Sequence, residues 1–280
     1  MSDVARRLLI TAGLAVVMGL VAPRAWASGC NLYTTSASCT FNGGIYDVVG
    51  PHPTGTGFID SFLRVQQNGA EEGFNTGARP MLCDGRTCDD KTDPNFTRNL
   101  LTSSIPIVTI NGVQYREFFL DINEPANTPP SLLTLDRLEI YSSNTANLTT
   151  HTTGVPDTLA GATQVYDMEP GTADNWVNLD YNLVGGGSGY GDMVLYVPNV
   201  GFNSTYVYLY SEFGCGGTFT ASMSCGNGSN TKYGSQAGFE EWWVPGSTTT
   251  TQSPSVPEPA TLVLLGTGLM VIARRYHRRK

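Results

Sequence analysis

The sequence predicts an all-β fold: one β-sandwich or jelly-roll-like domain with disulfide-closed loops, flanked by a signal peptide and a C-terminal apolar helix. Three observations carry this. Short alternating runs of apolar and polar residues recur along the 280-residue chain, Gly, Pro, Asn and Asp punctuate them, and no heptad or sustained helical period is present. Six cysteines, an even number, suit a chain that is stapled rather than one that binds metal through Cys-x-x-Cys pairs.

Residues 1–27 read as a secretory signal: Arg6 and Arg7 start it, "LLITAGLAVVMGLV" forms its apolar stretch, and Ala25-Trp26-Ala27 supplies a small-x-small cleavage site. Lipoprotein processing at Cys30 is the alternative, although the Leu usual three residues before such a Cys is missing. The body then spans 28–244. In "IVTINGVQYREFFLDIN" two β-rich runs flank Asn111-Gly112, a dipeptide that tolerates the positive φ angles of a tight hairpin. "LDRLEIYSS", "DMVLYVP" and "TYVYLYSEF" are further strands, and "WVNLDYNLV" places Val177, Leu179, Tyr181 and Leu183 on one face of another. Such a series of short strands suits a sandwich or jelly roll. "ARPMLCDGRTCDDKTDPNF" reads as a long acidic loop closed by a disulfide. Short loop closure favours the pairs Cys30–Cys39, Cys83–Cys88 and Cys215–Cys225 among the alternatives. Residues 245–256 lack apolar side chains that could pack and form a Ser/Thr/Pro linker.

With both ends set aside, 8 basic residues face 22 acidic ones between Ser28 and Val256, a net charge of −14. That balance repels phosphate backbones and excludes nucleic acid as a partner.

Candidate chemistry is sparse. His52 and His151 sit in polar or Pro/Gly-rich surroundings and read as exposed loop residues, and "GGGSGYGD" around Ser188 fits neither a nucleophile elbow nor a phosphate cradle. No cofactor is expected, except that Asp84, Asp89, Asp90 and Asp93 offer hard oxygen ligands to Ca²⁺ without matching an EF-hand. Glu240 and Glu241 cannot flank one glycosidic bond, because strand neighbours face opposite ways. Tyr206, Tyr208 and Tyr210 line one face of a strand, and with Trp242 and Trp243 they are the candidates for stacking on polysaccharide.

The C-terminus, 257–280, has three parts: Pro257-Glu258-Pro259, an apolar run over 260–273, and a basic tail with Arg274, Arg275, Arg278, Arg279 and Lys280. Fourteen helical residues reach ~21 Å, short of a ~30 Å bilayer core. The basic end stays in the cytoplasm and places the body outside. The prolines hold the junction extended, a shape that a processing enzyme can grip.

This order of parts resembles the PEP-CTERM sorting signal of Gram-negative bacteria. The resemblance implies recognition by an exosortase, passage through the secretion machinery and the inner membrane, and delivery to the cell surface or extracellular matrix. The body, through "PNFTRNLLTSSIPIVTINGVQYREFFLDIN", "GSGYGDMVLYVP", "YVYLYSEFG" and "GFEEWWV", is similar to an uncharacterised type of PEP-CTERM exported protein. Three functions remain open: a non-enzymatic surface or matrix protein, a carbohydrate-binding module, and a secreted hydrolase.

Overall fold

A computed structural model describes residues 28–49, 59–124, 132–154, 156–171, 173–184, 191–215, 232–236 and 238–245. The signal peptide, His52, Cys225, the "GGGSGY" stretch, nearly all of the linker and the whole 257–280 segment lie outside the described residues. Within them, fourteen strands have three or more residues. In chain order they are β1 (Ser28–Leu32), β2 (Ser38–Phe41), β3 (Gly44–Val48), β4 (Leu63–Val65), β5 (Glu71–Phe74), β6 (Ile107–Ile110) and β7 (Val113–Asp121), then β8 (Leu132–Ser143), β9 (Thr150–Thr152), β10 (Thr163–Asp167), β11 (Asn175–Asp180), β12 (Met193–Pro198), β13 (Tyr206–Phe213) and β14 (Glu240–Trp243).

Two sheets face one another. The first runs β1–β11–β8–β13–β5, with β10 also on β8; the second runs β2–β3–β12–β7–β14–β4, with β6 on β7. Their inner faces share one core that includes Leu133, Ile140 and Leu209 from the first sheet and Phe118, Leu195 and Trp242 from the second. This is the expected sandwich. The β1–β11 pairing is parallel, which no hairpin signal announces.

Turn chemistry fixes the hairpins. Asn111 and Gly112 adopt φ of 50° and 83° between β6 and β7, as the sequence predicts. Asn42-Gly43, at 45° and 80°, does the same for β2 and β3. The bulge in β8 between Leu135 and Arg137 explains its broken alternation: Leu133 and Leu135 face the core before the extra residue, Leu138 and Ile140 after it.

Two links join the sheets. Cys30 of β1 is bonded to Cys39 of β2, as expected, tying an edge of one sheet to an edge of the other. Beside it the Tyr46 hydroxyl meets that of Tyr166 at 2.8 Å, and Tyr166 donates to the Phe41 carbonyl at 2.8 Å. A Cβ at Gly44 would lie 2.4 Å from the Tyr166 oxygen, so only glycine lets these rings meet.

A third layer covers the first sheet's far face. The stretch expected to be a loop is a small hairpin: Leu82–Cys83 pairs with Arg86–Thr87, closed by the expected Cys83–Cys88 bond and turning at Asp84-Gly85 with φ of 52° and 78°. It pairs in parallel with β9, which pairs with Thr158–Leu159. Cys215 is also disulfide-bonded.

The Cys30–Cys39 bond closes a short loop between sheets, and chain entropy assigns such a loop about 2–3 kcal/mol. Replacing both cysteines by serine is expected to lower unfolding free energy by that amount in urea titration, with the slope little changed.

Candidate functional site

The third layer creates a second core from Phe74, Met81, Cys83, Tyr141, Tyr208 and Tyr210, among others. The tyrosines of β13 do share a face, as the two-residue period requires, but the face is an interior one. Tyr208 and Tyr210 are fully buried and Tyr206 packs at the edge. This corrects the expectation of a glycan-stacking strip: the disulfide hairpin and β9 occupy the space a polysaccharide would need.

His151 is likewise not an exposed loop residue. It lies in β9, is 0% exposed and stacks on Tyr210 with ring centroids 3.8 Å apart. Its Nε2 meets Glu139 Oε2 at 2.8 Å, and Tyr141 donates to the same oxygen at 3.3 Å. Burial pushes His151 down to about 4 and Glu139 well above the usual carboxylate range. Both groups are therefore uncharged near neutral pH. The threonines around His151 hide this in the sequence, since a polar stretch reads as solvated.

Arg137, delivered to this face by the β8 bulge, is the charged hub. Its guanidinium bonds Asp157 and lies 3.3 Å from Glu139 and 3.7 Å from Glu169. Asp157 is held below its ordinary value despite its burial, by hydrogen bonds and the adjacent Arg137 charge, while burial raises Glu169 to about 9. A His, a Glu and a Tyr in contact could move protons. However, His151 and Glu139 expose no more than 1% of their surfaces, so the cluster is closed to substrate.

The four aspartates do not converge. Asp84 accepts from the Thr153 amide at 2.6 Å and from its hydroxyl, Asp89 from the Glu72 amide at 3.1 Å, and Asp93 from the Asn95 amide at 2.9 Å. Asp90 lies 3.9 Å from Arg79. Among the described residues no group of three or more His, Cys, Asp or Glu side chains is placed to hold a metal ion.

Strand parity separates the neighbours in β14. Glu241 pairs with Arg64 at 2.5 Å, and Arg64 is itself sandwiched between Phe96 and Phe239. Glu240 points the other way, fully buried against Glu71, with burial and its acidic neighbours Glu71 and Glu124 holding its pKa well above normal. One proton shared by the Glu71–Glu240 pair stabilises both. Trp242 is core, donating to Ser211 Oγ at 3.1 Å, which removes it as a glycan candidate. Trp243 faces outward.

Around Trp243 lies a groove of about 320 Å³ on the second sheet's outer face, lined by Asp47, Glu117, Phe119, Val194, Tyr196 and Trp243, among others. Register builds it. Asp47 is opposite Val194, Val194 opposite Phe119, and Phe119 opposite Trp243. Tyr196 and Glu117 form the next row on the same face, where the Tyr196 hydroxyl bonds Glu117. Phe119 and Trp243 stack at 4.6 Å. Sequence reasoning identified Trp243 and missed the other five, because cross-strand register assembles them.

The fold defines an acidic, disulfide-linked β-sandwich. Residues 255–280 match the PEP-CTERM protein-sorting motif, so the chain carries the signal of an exosortase substrate, which implies export and a cell-surface or extracellular location. No curated protein and no solved structure matches the chain.

Three outcomes test the buried charges. Arg137→Met leaves the buried Asp157 carboxylate without its cation and is expected to cost about 3–5 kcal/mol by denaturant unfolding. Burial raises Asp90 to about 6, Glu124 to about 7 and Glu169 to about 9, so the folded chain keeps protons that the unfolded chain releases above roughly pH 4.5. Stability therefore falls as pH rises through that range. His151, lowered to about 4, opposes this only below about 6.5. The melting temperature is expected to be higher at pH 6 than at pH 8, and Glu240→Gln, which gives Glu71 a donor without a charge, should raise the pH 8 value.

Proposed function

We propose that this chain is a non-enzymatic exported protein, sorted and cut through its C-terminal signal, whose β-sandwich domain serves at the cell surface or in the extracellular matrix. The observation that carries this reading is the sorting motif at 255–280. Residues 1–27 act as the export signal in this reading, and the short apolar run holds the chain in the inner membrane only until processing.

The domain suits such a location. Two disulfides among the described residues favour an oxidising compartment, and the −14 body is soluble and self-repelling. The sealing of the His151–Glu139 cluster supports a role without catalysis. A second reading, adhesion to extracellular polysaccharide, is favoured by the groove around the partly buried Trp243.

Cell fractionation with intact-mass measurement tests the sorting. The surface or medium fraction is expected to contain a product that starts at Ser28 and lacks Arg274 to Lys280. Finding those residues on the mature product would overturn the reading. No cofactor is proposed: melting curves in EDTA and in millimolar calcium are expected to coincide, and a calcium-dependent rise would reverse that statement.

A further inference from the structure

Among the described residues the large apolar side chains left exposed are Leu101, Ile107, Val113 and Val200, at 46, 47, 48 and 72%. Scattered singly, such residues need no explanation. These four are gathered at one end of the sandwich. Leu101 is opposite Tyr206 at the start of β13, and the Thr102 hydroxyl donates to the Ser204 carbonyl at 2.6 Å. The Asn199 amide, beside Val200, donates to the Gln114 carbonyl, beside Val113, at 2.9 Å. Arg116, opposite Ile107, ties these segments together: it donates to the Thr102 and Ile105 carbonyls at 2.9 and 2.8 Å and to Asn199 Oδ1 at 2.8 Å. A tight turn holds Val200 out: its amide meets the Pro198 carbonyl at 2.7 Å, and the Asn203 amide meets that of Gly201 at 2.8 Å.

Charge is segregated from this end. The segments that these contacts join, 99–115 and 193–211, contain no Asp, Glu, Lys or Arg, and Arg116 turns its guanidinium to the acceptors just named. Asp121, Asp192, Glu212 and Glu240 stand in or next to the same sheets' strands at their opposite ends. In a body of −14, this is the end that an anionic or apolar surface approaches at least electrostatic cost.

The chain itself brings such a surface close. Glu241 is opposite Asp121 and Trp243 opposite Phe119, so β14 advances along β7 toward Val113, and Phe119 to Val113 is ~20 Å of strand. Residues 246–256 reach at most ~40 Å when extended, and the apolar run at 260–273 follows. A bilayer that holds this run is within reach, at the high effective concentration that a short tether gives. A second copy of the chain has no such tether and brings another −14.

We propose that, while the C-terminal run is in the bilayer, this end of the domain rests on the membrane surface, with Leu101, Ile107, Val113 and Val200 at the headgroup–acyl boundary. The inference rests on the membrane stage of sorting given under the proposed function. Four aliphatic side chains without a basic cluster are a weak anchor by themselves. The tether sustains the contact, and cutting the tail releases the domain.

The test uses the full chain, exported by a host without exosortase and reconstituted in vesicles of phosphatidylethanolamine and phosphatidylglycerol with partly brominated acyl chains. Val200→Trp puts a fluorescent reporter at the contact, and Asn182→Trp puts one at an exposed site at the far end, beyond β11. Bromine is expected to quench the first reporter and to leave the second at its level in unbrominated lipid. Adding Leu101→Ser, Ile107→Ser and Val113→Ser should abolish the quenching with the melting temperature little changed, because all three side chains are exposed. Added salt should not reduce it, since no ion pair carries the contact. Flotation with the vesicles but equal quenching at both positions, quenching at neither, or quenching that survives the triple change would each overturn the proposal alone. A chain that does not float with the vesicles would sink the membrane stage and this contact with it. Cross-linking of two copies through this end, without quenching, would assign the surface to a second copy and overturn the proposal.

Discussion

The first sheet is buried on both faces, and the rest of the molecule is arranged around that constraint. One face packs on the second sheet through aliphatic side chains. The other lies under a thin layer made from the disulfide hairpin and β9, and this layer is too small to be apolar throughout. Glu72, Arg137, Glu139 and Tyr210 therefore sit on a buried face and must satisfy one another. Arg137 is the group that makes this possible. A lysine offers no planar fork and could not reach Asp157, Glu139 and Glu169 together.

Neutralisation by protonation does much of the remaining work. Glu240 against Glu71 and Glu139 against His151 are pairs in which desolvation outweighs the tendency to ionise. Acidic composition thus has two meanings in this chain. On the surface it gives charge and solubility, while inside it supplies carboxyl groups that keep their protons and act as hydrogen-bond donors.

Much of the fold was legible because local rules sufficed. Asn111-Gly112, the alternation in Val177 and Leu179, and the short Cys30–Cys39 and Cys83–Cys88 spacings each named their structure, and Asn42-Gly43 carried the same hairpin signal unread. The candidate site was legible only in part. Parity alone separates Trp242 from Trp243, and it also correctly placed Glu240 and Glu241 on opposite faces. Which face is open depends on what lies across it, and that is a long-range fact. The β13 tyrosines and His151 were therefore assigned to the surface, since nothing near them in the chain mentions the hairpin that covers them. Asp47, Glu117 and Tyr196 were missed for the same reason: their strands become neighbours only through register.

The position of β14 has a mechanical meaning. It is the last described strand, yet it lies inside its sheet, hydrogen-bonded to β7 on one side and β4 on the other. The sorting motif follows that interior strand in the chain. A pull applied to the C-terminal end of β14 would load two hydrogen-bonded ladders and the Trp242 side chain wedged in the core, rather than peel away a free margin.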